Sequence, residues 1–152
     1  MLLIPSVYRR IVDQISGRFA EGLVLLFVRL TLAGVFWRSG RSKVEEGSWF
    51  QISDSALYLF ENDYSAVPLP PALAAHLALF GETAVPALLV LGLLTRFSAA
   101  ALAGMTLVIQ IFVFPDAFWT THSLWLALSG ILIVRGGGAF SVDRLVVRTF
   151  RV

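Results

Sequence analysis

One run constrains this chain more than any other: His76–Arg96, HLALFGETAVPALLVLGLLTR. A helix needs about 20 apolar residues to cross a bilayer, and this run supplies them, yet Glu82 sits near its middle. An ionised carboxylate in hydrocarbon is costly unless it is paired or protonated, so Glu82 marks a candidate site by its position alone.

The rest of the chain has the same character. Hydrophobic residues make up 57% of it and charged residues only 14%, against about 25% charged in an ordinary soluble domain. The mean hydropathy is +0.80. The apolar residues fall into four runs, at about 22–40, 71–94, 97–114 and 118–135. Lipid admits only helices or closed barrels, and the alternation of a barrel strand is absent here. The sequence therefore predicts an all-α integral membrane four-helix bundle, forming a single transmembrane domain over residues 1–152.

Two further helices are expected outside the spans. Val7, Ile11, Ile15 and Phe19 recur every four residues among Arg9, Arg10, Asp13, Gln14 and Arg18. That pattern reads as an amphipathic helix on an anionic membrane surface, or as a plain helix docked on the bundle. Between the first two spans, residues 53–64 carry apolar residues on one side, and Ser53 or Asp54 can cap a short helix. Trp49, Phe50, Tyr58 and Tyr64 are of the type that settles at headgroup level. An interfacial helix lidding one mouth of the bundle follows. After the fourth span, Gly136, Gly137 and Gly138 end the helix, and Ser141 can cap a last amphipathic segment.

Charge sets an expected orientation. With both termini on one side, that side holds eight arginines: Arg9, Arg10, Arg18, Arg96, Arg135, Arg144, Arg148 and Arg151. The other holds Arg41 and Lys43 with six carboxylates. This asymmetry places both termini in the cytoplasm. The net charge of +2 does not point to nucleic acid, because no basic stripe with interleaved aromatics lies on a soluble face. The absence of cysteine removes disulfides, iron–sulfur clusters and thiolate metal sites. The triple glycine lacks the Lys-Ser/Thr of a phosphate loop.

The candidates for chemistry are Glu82, Arg29, Arg38, His76, His122, Trp125 and Gln110. With Leu23 and Leu94 taken as membrane edges, a rise of about 1.5 Å per residue puts both arginines within reach of Glu82. They are nine residues apart and so lie on opposite faces of one helix. Arg29, the more deeply committed to lipid, is the expected partner of Glu82, while Arg38 can snorkel outward. The pair reads either as a strut between helices or as a device that tunes a ligand or a proton path; a protonated, unpartnered Glu82 is the third option. His76 and His122 lie at similar depth. If they face each other they could ligate haem, hold a metal, or contact a quinone carbonyl; the alternative is that both are interfacial polar residues. Trp125 shares a stripe with His122 and could stack on a ring there. Gln110 suits an interhelical hydrogen bond. A nucleophile–base pattern is absent, so hydrolysis is not supported.

Three stretches carry a resemblance. They are Val28–Trp37 (VRLTLAGVFW) with Gly40 and Lys43 following; Glu82 ahead of LLVLGLLTR ending at Arg96; and Arg135–Asp143 (RGGGAFSVD). In this order and spacing the chain resembles the DoxX family of small bacterial four-helix membrane proteins over nearly its whole length. Its triple glycine stands where Gly-Pro-Gly is more usual. The resemblance implies a membrane subunit of a quinone-linked oxidoreductase system, with partner subunits or a homo-oligomer. It implies a bacterial inner-membrane location and a role class with no substrate specified; a quinone or lipid-like ligand among the helices is the expectation, and haem is disfavoured. The alternatives are a non-catalytic anchor or assembly scaffold, and a small-solute or proton transporter acting as an oligomer.

Overall fold

The computed structural model describes residues 17–150 together with Tyr8 and Val12. The amphipathic helix expected before residue 20 lies outside the described residues, apart from Tyr8, Val12, Arg18 and Phe19. Arg18 and Phe19 belong to the first turn of the first span. The described chain is helical, with a single isolated antiparallel bridge between Val44 and Ile52.

Among the described residues six α-helices follow one another: α1 (Arg18–Arg41), α2 (Asp54–Asn62), α3 (Pro71–Leu91), α4 (Thr95–Phe112), α5 (Ser123–Arg135) and α6 (Val142–Phe150). A 3-10 turn (Pro115–Ala117) and a π-helical turn (Phe118–His122) lead into α5. Among the described residues, four segments are long and apolar enough to span a membrane: Arg18–Arg41, Pro71–Leu91, Thr95–Phe112 and Pro115–Arg135. They form a multi-pass bundle whose loops put α2 at one end and the α3–α4 turn with α6 at the other.

Each span contributes fully buried leucine to one core: Leu32 from α1, Leu89 from α3, Leu102 from α4 and Leu132 from α5. Phe36 joins them, with Met105 and Trp125 packed alongside. The outward faces are as apolar as the core, with Phe27, Phe80, Ile111 and Val134 all exposed. On a water-soluble protein such a surface would aggregate, and in lipid it is the solvated face. Because lipid tails are as apolar as leucine, close packing holds the helices together, and small residues make that packing close. Gly40 is such a residue: a Cβ there would stand 3.0 Å from the backbone oxygen of Glu82, so α1 and α3 nearly touch at that level.

Some boundaries move from those expected. The second span stops at Leu91, three residues early, because Gly92 is left-handed (φ 69°) and Leu93 N–H donates to the Leu88 carbonyl. A closing bond of that kind ends a helix where a left-handed residue permits it. The third span accordingly starts at Thr95. Helix α3 runs on through Pro86 to its end. Ser53 does cap α2, with its Oγ accepting from Ala56 N–H. Phe60 then seats α2 on Ala74 and Ala75 of α3.

Candidate functional site

Glu82 is 2% exposed, as the sequence demands of a mid-span carboxylate that the bundle shelters. Its partner is Lys43: Nζ donates to Glu82 Oε2 at 2.6 Å, and both side chains are buried. Ser39 Oγ donates to Glu82 Oε1 at 3.2 Å. Lys43 Nζ also donates to Ser39 Oγ at 2.9 Å and to the Ser39 carbonyl at 3.2 Å. Lys43 lies just beyond the end of α1, where the chain turns back. The Val44–Ile52 bridge and the bond from Ser53 N–H to the Lys43 carbonyl hold that turn in place.

The expected Glu82–Arg29 pair does not form, for reasons of register. Gly40 of α1 lies against Glu82, whereas Arg29 packs its guanidinium against Gly92, ten residues further on and just past the end of α3. Ten helical residues span about 15 Å, beyond the reach of an arginine already engaged. Arg29 is fully buried, and its Nη2 donates to the Phe140 carbonyl at 2.6 Å. Asp143 holds the same region from the other side: its carboxylate accepts from the N–H groups of Leu94 and Thr95, at 2.7 and 2.9 Å. That carboxylate caps the N-terminus of α4, where the helix dipole favours negative charge. Arg29 and Asp143 therefore latch the segment after α5 onto the α3–α4 turn.

The two histidines do not face each other. His76 is exposed, and its Nδ1 is bonded within its own helix to the Ala72 carbonyl at 2.7 Å. His122 is buried, and its Nδ1 lies 2.7 Å from Gln110 Oε1. Gln110 Nε2 donates to the Pro115 carbonyl at 2.6 Å, so the amide oxygen faces the ring and Nδ1–H is the donor. Trp125 packs beside His122 with ring centroids 5.3 Å apart, and also against Phe36. The expected interhelical role of Gln110 is met by this bond. Arg38 is exposed and takes no part in the Glu82 cluster. Among the described residues no group of three His, Asp or Glu side chains could hold a metal.

A cavity of about 350 Å³ opens beside Glu82. Phe60 and Tyr64 roof it, Leu77 and Glu82 line the α3 side, and Gly104 and Val108 line the α4 side. Glu82 is its deepest α3 residue and so forms the polar floor of an otherwise apolar chamber. Leu77 and Val108 are also exposed on the outer surface, so the chamber opens sideways between α3 and α4. A Cβ on Gly104 would meet nothing within 4 Å. Burial, then the charges of Glu82 and Asp63, push the Tyr64 phenol up to about 12. Tyr64 therefore stays protonated at any physiological pH. Lys43, Ser39 and Tyr64 are the residues that sequence reasoning left out of the site. Lys43 stood within the first of the three recognisable stretches, and Tyr64 follows Phe60 at the i, i+4 spacing of one helix face.

A family model described as DoxX matches residues 24–115. The chain belongs to the DoxX family. The DoxX match takes in most of α1 and all of α2 to α4, and with them Arg29, Ser39, Lys43, Tyr64, Glu82 and every residue of the chamber wall. The Asp143 end of the latch lies beyond it. A Haemophilus influenzae protein described as uncharacterized is 29% identical over 138 residues, covering 86% of this chain and 87% of its own. No solved structure matches.

Proposed function

We propose that this DoxX-family membrane protein is a subunit of an oxidoreductase system, and that its chamber beside Glu82 holds a quinone-type or lipid-like amphiphile. The observation that carries this reading is the apolar cavity of about 350 Å³ with a buried carboxylate at its floor. Ligand pockets for small molecules begin at about 300 Å³ and pair apolar walls with a few placed polar groups. The sideways opening suits a ligand arriving through the bilayer. In this reading Tyr64 and Glu82 contact the head, and Lys43 and Ser39 fix the carboxylate. The orientation proposed with it follows the arginine bias, with both termini in the cytoplasm of a bacterial cell and the chamber near the outer side.

A scaffold role is the second reading. It is favoured by the fact that Lys43 and Ser39 satisfy Glu82 and that Arg29 ties the tail to α1, as struts would. Photo-crosslinking separates the two. An azido-substituted quinone added to the protein in nanodiscs is expected to label residues of α2, α3 and α4 around the chamber, and Gly104→Phe, which fills it, to abolish that label. Labelling spread over the lipid-facing surface and unchanged by Gly104→Phe would leave the scaffold reading standing.

A further inference from the structure

We propose that the chamber recognises an amphiphile with a neutral hydroxyl head, and that among quinone-type ligands it selects the hydroquinone over the quinone; this rests on the chamber being the ligand site. The hydrogen-bond inventory carries the inference. An ammonium has three protons, and Lys43 directs them at Glu82 Oε2, Ser39 Oγ and the Ser39 carbonyl. The one hydroxyl proton of Ser39 goes to Glu82 Oε1. The ion cluster therefore has no proton left for a ligand. Each carboxylate oxygen, having accepted one bond, keeps lone-pair capacity. Toward the chamber, Glu82 is an acceptor and nothing else.

Tyr64 supplies the complementary group. Tyr64 lines the chamber, and its hydroxyl can donate one bond and accept others. The remaining lining is apolar. A hydroxyl head has what both groups need: an O–H to donate to Glu82 and an oxygen to accept from Tyr64. A quinone carbonyl can take the Tyr64 proton, but it sets its own lone pairs against the carboxylate. An ether oxygen offers Glu82 nothing. Ammonium heads gain little, because the Lys43–Glu82 pair is already neutral and desolvating a further charge is costly. A phosphate head meets a carboxylate. Leaving one buried acceptor facing a second acceptor is a penalty large enough to read as about tenfold or more in affinity.

The test uses the full chain in nanodiscs under anaerobic conditions, with three probes sharing one decyl tail: a benzoquinol, the corresponding benzoquinone, and the quinol dimethyl ether. The expected result is a Kd for the quinol at least about tenfold below that of both other probes. Tyr64→Phe should weaken the quinol, and Lys43→Met with Glu82→Gln, which places an amide N–H at the floor, should narrow or reverse the preference. Quinone or ether binding as tightly as quinol, at a site blocked by Gly104→Phe, overturns the selectivity while the chamber remains the ligand site. Binding of all three that ignores Gly104→Phe, or binding of none, overturns the chamber reading and the selectivity with it. The wild-type probe series decides the matter even if the double variant fails to fold.

Discussion

Replacing Lys43 by methionine removes the charge that faces Glu82 while keeping most of the side-chain volume. Both side chains are nearly inaccessible, at 7% and 3%, so solvent does little to screen the loss. Breaking a buried pair by deleting one partner strands a buried charge and costs about 3–5 kcal/mol. Removing the second charge as well should recover most of that, because a neutral pair has no ion to desolvate. Lys43→Met is therefore expected to destabilise the protein by about 3–5 kcal/mol, and Lys43→Met with Glu82→Gln by clearly less than the single change. The assay is reversible unfolding in mixed micelles, following the fluorescence of the four tryptophans. A single-variant loss below about 1 kcal/mol, the range of an exposed pair, would refute the reasoning. So would a double variant no more stable than the single one.

Other outcomes follow from the same geometry. Arg29→Met removes the donor to the Phe140 carbonyl, a charged hydrogen bond worth about 1.5–3 kcal/mol. Amides from Gly138 to Arg144 should then lose hydrogen-exchange protection, and Asp143→Asn should loosen the same segment. Gly92→Ala should cost more than the ~1–2 kcal/mol of its left-handed backbone alone, because the new methyl meets the Arg29 guanidinium; thermal unfolding checks it. For Tyr64, the difference in tyrosinate absorbance between wild type and Tyr64→Phe should rise at about pH 12. Since the folded state raises this pKa above the free value of about 10, the stabilisation is complete below pH 10 and is lost as pH climbs through 12.

The spans were legible because apolar runs of that length have no other home, and the α2 cap because Ser53 precedes a helix-patterned stretch. Glu82 announced itself by being charged in lipid. Its partner did not, because Lys43 lies past the end of α1 and reaches Glu82 only when the loop folds back, which no helical phase encodes. Depth counted from Leu23 and Leu94 favours Arg29, whereas α1 begins at Arg18 and α3 ends at Leu91. A buried arginine also does not need a carboxylate. Arg29 instead donates to a backbone carbonyl in the tail, a partner with no sequence signature. His76 and His122 agree in depth but not in direction, since the turns at Pro115–His122 set the phase of His122 and burial leaves His76 outside.

The most direct test of the chamber is what it carries out of the membrane. Native mass spectrometry of the gently solubilised protein should show a bound amphiphile at close to one per chain, released as a quinol or another hydroxyl-headed lipid. Gly104→Phe protein, folded to the same degree, should lack it. Wild-type protein that emerges empty, or a variant that retains the same adduct, would contradict the account.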